Sequence, residues 1–225
     1  MMFNFDPQKE FTDDFRALAK ETRTHIFITY TVVQEGQPWR NEAILLTPQG
    51  EFLDVYGKNH AFGEPLSAMR GIFPVYDTPL GRLATLICHD ANYTDITRKL
   101  VANGAQITAA PIREFGGFGD QYWTNVLFRA VENRTAMVVS GVATISAIIN
   151  PDGSIVVLDT DPSGSRTTLV GDVALGSGPT LYTSLGDILG WVALAGFIFF
   201  MVFQSVTERR AKKADEVSRQ PLPAR

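Results

Sequence analysis

Cysteine and histidine are scarce here, with one and three copies in 225 residues. A single cysteine cannot form an intramolecular disulfide. Cys88, His25, His60 and His89 also have no zinc-ligand spacing, so no metal site is expected. Positive charge is not in excess: the net charge is −4, which leaves no basic field for nucleic acid, and no nucleic-acid partner is expected. The first 23 residues hold no apolar h-region, so no signal peptide is expected there. Apolar residues, by contrast, are plentiful. At 45% apolar and 11% aromatic the chain can bury a sizeable core and does not read as disordered.

Charge is unevenly distributed. Residues 188–203 (ILGWVALAGFIFFMVF) carry none, and the tail that follows Val206 has six Lys/Arg against three Asp/Glu. Sixteen helical residues span about 24 Å, and extension to residues 185–206 matches a ~30 Å hydrocarbon core. A buried core helix is the plain alternative. It fits poorly, because the stretch is apolar on all sides and is followed at once by Arg209, Arg210, Lys212 and Lys213. That is a stop-transfer pattern, and the positive-inside rule puts the C-terminus in the cytoplasm. The expected organisation is therefore a domain over residues 1–180, a transmembrane helix over 185–206 and a basic tail over 207–225. The preceding residues would then lie outside the cytoplasm. Nothing at the N-terminus would carry them across, so upstream helices are expected in a longer chain.

Within residues 1–180 the patterns alternate. Phe11, Phe15 and Leu18 have helical spacing. Residues 25–33 and 41–47 read as strands, and 51–56 as the returning strand of a hairpin after Pro48-Gln49-Gly50. Residues 83–88 (LATLIC) form a continuous apolar run, as in a strand buried on both faces. Residues 93–103 read as a helix stopped at Gly104, 105–111 as a strand and 123–134 as a helix. Strands are also expected over 137–141, 145–149, 154–158 and 168–173, with a turn at 150–153. The fold class is a layered α/β domain with a mixed sheet.

A lone cysteine is ordinarily a small buried hydrophobe. Cys88, however, ends a buried strand and precedes a helix, a turn that exposes a nucleophile beside backbone N–H groups. Its thiolate needs a nearby cation or base. His89 is badly placed for that, because successive side chains on an extended backbone point in opposite directions; its backbone N–H is the better contribution.

The motifs carry further. YGKNHAFGEP (56–65), FPVYDTPLGRLATLICHD (73–90), NGAQITAAP (103–111), FRAVENR (128–134) and SAIINPDGSIV (146–156) stand in order. Over residues 24–175 they resemble the nitrilase, or carbon-nitrogen hydrolase, superfamily. Phe62-Gly63-Glu64 and SGPTLYTSLGDILGW (177–191) are similar to the apolipoprotein N-acyltransferase branch. The resemblance implies an α-β-β-α sandwich, incomplete at its N-terminus, followed by one transmembrane helix. It implies Cys88 as nucleophile, Lys58 as the cation that favours thiolate and oxyanion, and Glu64 orienting Lys58 or the donor. The His89 N–H would complete the oxyanion site, and Phe62, Glu114 and Trp123 are candidates for the pocket wall. Arg129, Glu132 and Asn133 read as structural, and the loop at 114–120 as a lid.

The implied reaction moves an acyl chain from a phospholipid to Cys88 as a thioester. The chain then passes to the N-terminal cysteine amine of a lipoprotein, without metal or organic cofactor. The implied location is a bacterial inner membrane, with the domain on the extracytoplasmic face. The superfamily also uses a general-base Glu after its first strand. Its usual spacing falls before residue 1, and neither Glu10 nor Glu21 has the right context, so the chain is expected to be catalytically incomplete alone. His89-Asp90 and Thr144 depart from the branch's usual residues. Two alternatives stay open: a membrane-tethered amidase or nitrilase, and a non-catalytic remnant.

Overall fold

The computed structural model describes residues 11–33, 35–114, 117–161 and 167–218. The chain divides into two compact units, Met1–Gly186 and Asp187–Arg225.

The first unit is layered. Helix α1 (Phe11–Thr22) precedes β1 (Ile26–Val32), β2 (Arg40–Leu46) and β3 (Tyr56–Gly57), which pair antiparallel in the order β1-β2-β3. A second sheet has six strands in sequence order: β4 (Tyr76–Thr78), β5 (Gly81–Thr85), β6 (Ile107–Arg113), β7 (Ala136–Val142), β8 (Ser146–Ile149) and β9 (Ile155–Asp159). Its β5-β6-β7 centre is parallel and its edges antiparallel. Crossovers α2 (Thr94–Ala102) and α3 (Gly119–Asn133) connect the parallel strands, as parallel pairing requires.

Alternation along β2 sorts the core. Ile44 and Leu46 face α1, packing with Ala19, Phe15 and Ile28. Leu45 points the other way, onto Tyr76 and Leu83 of the second sheet, because successive strand side chains face opposite sides. The largest cluster lies where α2 and α3 cover the second sheet, with Leu86, Ile96, Leu100, Val126, Met137 and Ile149 almost fully buried. The order helix, sheet, sheet, helix follows from these three clusters.

Two expected strands differ in the structure. Residues 51–56 contribute only a Leu46–Phe52 bridge and the short β3. The Leu53 N–H still bonds Leu45 O at 2.9 Å, but the chain then turns away toward the 58–71 loop. Residues 168–173 form no strand. Their side chains are mostly exposed, and side-chain caps such as Asn150 Oδ1 accepting Ala174 N–H at 3.0 Å replace a ladder. Helix α3 begins earlier than its apolar spacing shows, at Gly119. Of the expected lid, residues 115 and 116 lie outside the described residues.

The unit closes with α4 (Leu181–Leu185), capped by Thr180, whose side chain accepts from Thr183 N–H. Thr180 Oγ1 donates to Glu132 O at 2.6 Å and Thr183 Oγ1 to Asn133 Oδ1 at 3.0 Å. Asn133 is thus a structural residue, and Arg129 pairs with Glu132 along α3.

The second unit is one continuous helix, α5 (Ile188–Ser218). Its segment Ile188–Lys212 is long and apolar enough to cross a membrane, and none of its apolar span is buried. Leu189, Trp191, Phe197, Phe199 and Phe203 are among its exposed side chains.

Candidate active site

The C-terminal ends of the parallel strands β5 and β6 lie side by side, and that edge carries the candidate nucleophile. After β5 the chain runs through Leu86, whose N–H bonds Ala109 O at 3.0 Å, and enters a 3-10 turn at Cys88–Asn92. Cys88 itself has φ 48°, a left-handed conformation that costs a non-glycine residue about 1–2 kcal/mol and is held only where surroundings enforce it.

Asp90 does the enforcing. It is fully buried and accepts four hydrogen bonds. Oδ2 takes Tyr56 Oη–H at 2.7 Å and Ile87 N–H at 3.1 Å. Oδ1 takes His60 N–H at 2.7 Å and Asn59 N–H at 3.1 Å. One carboxylate thus ties the Cys88 turn to the segment that begins with Lys58. Burial pushes its pKa up, against the pull of Tyr56 and the three N–H donors.

Lys58 follows β3 directly, its N–H bonding Asn41 O at 2.8 Å. Its side chain is 7% exposed, and Nζ pairs with Glu64 Oε1. A buried ammonium needs such a partner. Glu64 Oε2 also accepts Phe62 N–H at 2.8 Å. Burial would raise the Glu64 carboxyl, but Lys58 and the backbone donors draw it below its ordinary value. Gly57 lets the loop pass: a Cβ there would stand 2.3 Å from the Met69 carbonyl carbon.

Cys88 is half-buried, its thiol donating to Arg113 O at 3.5 Å. Burial raises the thiol pKa; the Lys58 charge lowers it and the Glu114 charge raises it further, with a net upward shift. The resting group is therefore the thiol. The His89 imidazole has its Nδ1 contacting Asn92 Nδ2 at 3.0 Å and Tyr122 Oη at 3.2 Å. Its ring lies 4.9 Å from that of Phe62, which is 64% exposed. Burial and then the Lys58 charge lower its pKa, so it is neutral at pH 7.

Glu114 follows Arg113 at the end of β6 and is 6% exposed. Its charge acts on Cys88, His89 and Tyr122, so Cys88, Lys58, Glu64, His89, Phe62 and Glu114 share one locality. Trp123 does not join their hydrogen bonds or ring contacts. It is half-buried on α3, and its neighbour Tyr122, 4% exposed, takes the place on His89. Burial, with the Cys88 and Glu114 charges, pushes the Tyr122 hydroxyl up to about 12, leaving it protonated.

Reading from sequence missed Asp90 as the tie, along with Tyr56, Asn92 and Tyr122. The signal available was the Asp two places after the cysteine, a spacing that returns its side chain under a tight turn. Glu10 lies outside the described residues, and Glu21 is exposed on α1.

The arrangement has relatives. The carbon-nitrogen hydrolase family model matches residues 4–178. An apolipoprotein N-acyltransferase of Geobacter metallireducens is 27% identical over 222 residues, covering 86% of this chain and 42% of that protein. A formamidase of Bacillus cereus is 31% identical over 103 residues, 43% of this chain and 30% of the enzyme. The chain thus spans less than half the length of either. Among solved structures, an amidase from Nesterenkonia sp. matches with a TM-score of 0.60 at 19% identity, covering 66% of this chain and 62% of that one. That likeness is one of fold.

Proposed function

Because the chain belongs to the carbon-nitrogen hydrolase family, we propose that Cys88 is the nucleophile of an acyl transfer that passes through a thioester. The observation that carries this reading is the buried Lys58–Glu64 pair, held beside Cys88 by the four hydrogen bonds of Asp90. Lys58 supplies the positive charge that a thiolate and then a tetrahedral oxyanion require, and the His89 N–H is the second donor. Glu64 keeps Lys58 charged and aimed. Phe62 and Trp123 line the acyl pocket.

The donor we favour is a phospholipid and the acceptor the N-terminal cysteine amine of a lipoprotein, as in apolipoprotein N-acyltransferases. The relative of that name covers 86% of this chain, twice the 43% reached by the formamidase, and α5 offers a span long enough for a membrane. Sulfur attacks the ester carbonyl and the lysophospholipid alkoxide leaves with the thiol's proton. The acceptor amine then attacks the thioester, forming an amide and restoring the thiol. No metal or organic cofactor enters these steps. In this reading residues 1–180 are the acyl-transfer domain, 185–206 the membrane helix and 207–225 a basic cytoplasmic tail, with the domain on the extracytoplasmic face of a bacterial inner membrane.

The test is covalent trapping in mixed micelles containing phospholipid with a radiolabelled acyl chain. Label that stays on the protein, is released by neutral hydroxylamine and is absent from Cys88→Ser supports the reading. The formamidase relative favours the second reading, amide hydrolysis. Ammonia released from small amides by a protein that takes no label from phospholipid would establish that reading and refute acyl transfer.

A further inference from the structure

Helix α4 is built inside out. Its polar side chains face the domain: Thr183 is 4% exposed and donates to Asn133 Oδ1, and the capping Thr180 donates to Glu132 O. Its leucines face away, Leu181 at 80% and Leu185 at 54% exposure. Four residues apart, they lie on one helix face. A surface helix in water has the reverse order, with its apolar stripe toward the core and its polar residues outside. The orientation is also locked. Arg98 of α2 donates from Nε to Thr183 O at 3.3 Å, and its guanidinium lies 5.7 Å from the Tyr182 ring centroid. At Gly186, which ends α4 with φ 60°, a Cβ would stand 2.3 Å from Arg98 Nη1. Turning the leucines inward would break these contacts. Beside α4, Val131, Pro179, Leu181 and Arg134 contribute to the wall of an open cleft of about 540 Å³. Glu132 in the same wall is held by Arg129 at 2.9 Å. No described carboxylate pairs with Arg134, so the uncompensated charge of the cleft is positive.

We propose that α4 is an interfacial docking helix whose Leu181 and Leu185 enter the headgroup-acyl boundary of a phospholipid bilayer. This rests on the membrane reading of α5 and adds a second membrane contact, made by the domain itself. Chain length commits the occupant. Only Gly186 and Asp187 separate Leu185 from Ile188, where the apolar span begins, and three peptide steps reach at most about 11 Å. Whatever the angle at which α5 enters a bilayer, the end of α4 stays within that reach of the entry point. In water the two leucines leave their apolar area exposed, whereas the boundary layer removes it from water. Lipid phosphates also suit the cleft, because the Arg134 guanidinium matches a phosphate in charge and shape. A second copy of the chain suits it less. A two-fold pairing through this face would bring two unpaired Arg134 side chains into one interface, and an unpaired buried charge is costly.

The test uses the single cysteine. In the full chain carrying Cys88→Ser, a nitroxide is attached at one new cysteine at a time: Leu181→Cys, Leu185→Cys, or Leu189→Cys on α5. All three positions are exposed, so the substitutions leave the core intact. The chain is reconstituted in vesicles of phosphatidylethanolamine and phosphatidylglycerol. Collision of the label with oxygen and with a water-soluble nickel chelate gives its depth. Labels at 181 and 185 should lie about 5–10 Å into the headgroup-acyl boundary, with the label at 189 inside the bilayer. Labels at 181 and 185 in water, with the label at 189 inside the bilayer, would overturn the proposal. So would dipolar broadening at 181 that disappears on dilution with unlabelled chain, since a second copy would then cover the face. All three labels in water would sink the membrane reading of α5 itself, and the docking helix with it.

Discussion

Asp90→Asn tests whether one carboxylate organises the site. The substitution keeps the shape but turns one oxygen into a donor. If the new amide takes the Oδ2 position, Tyr56 Oη can reverse and accept, but the Ile87 N–H is left facing a donor. If it takes the Oδ1 position, both the Asn59 and His60 N–H groups are stranded. The first orientation costs less and leaves one buried N–H without its acceptor, at roughly 1–3 kcal/mol, and the surviving bonds fall from charge-assisted to neutral strength, about 1 kcal/mol less each. Part of this is returned, because the native carboxyl is buried and its pKa raised, so the charge itself is costly to hold. The net expectation is a loss of about 2–4 kcal/mol. For a domain of this size each kcal/mol moves Tm by about 2–4 °C, so the melt should fall by roughly 4–16 °C. Native stability is typically about 5–15 kcal/mol, so the variant stays folded. Its loading of Cys88 should drop more steeply, because Lys58 and the Cys88 turn lose their common anchor. Thermal melting by circular dichroism, paired with burst kinetics below the melt, checks both. A Tm within about 2 °C of the parent together with unchanged loading would refute the reasoning.

Gly57→Ala places a methyl group 2.3 Å from the Met69 carbonyl carbon; the backbone must shift, and a loss of about 1–3 kcal/mol should appear as a lower urea midpoint, with slower Cys88 loading. Glu64 has a depressed pKa, so the stability it lends is present above the usual carboxylate value of 4.5 and is lost as pH falls through its folded value. Glu64→Gln should therefore melt at a lower temperature at pH 7 and lose less on acidification to pH 3 than the parent does; equal acid sensitivity in the two would contradict this. Trp191 is 69% exposed near the start of α5. In a chain whose Trp39 and Trp123 are replaced by Phe, vesicles of brominated phosphatidylcholine should quench its fluorescence, and a signal unmoved by lipid would count against a membrane span.

The sequence patterns that were legible are those with long-range repetition. The apolar run before Cys88, the helix stopped at Gly104 and the uninterrupted apolar stretch of α5 all appear where their periodicity puts them. Residues 168–173 misled because alternation alone does not supply a neighbouring strand: the segment lies beside Val156 and Ile148 at Gly171 but has no ladder to join. In the site, Cys88, Lys58 and Glu64 were legible as an ordered set, since a thiol, a cation and a carboxylate form a chemical unit. Asp90 and Tyr122 were not. Their importance lies in contacts 30 to 34 residues distant, from Asp90 to Tyr56, Asn59 and His60 and from Tyr122 to His89, which only the folded sheet edge brings together. Tyr122, which reaches His89, and Trp123 stand one position apart on α3, about 100° of helix rotation.

The fourfold use of Asp90 also limits how the site can move. Ile87, just before Cys88, and Asn59 and His60, just after Lys58, are fastened to the same carboxylate, so in the proposed reaction these segments shift as one body and are not prised apart to admit an acyl chain. Room must come from segments outside the knot. Phe62, Gly63 and Leu66 are exposed beyond it, as is Phe118. In the proposed reaction, substitutions at these exposed positions should then alter chain-length preference, while the floor around Asp90 keeps its spacing.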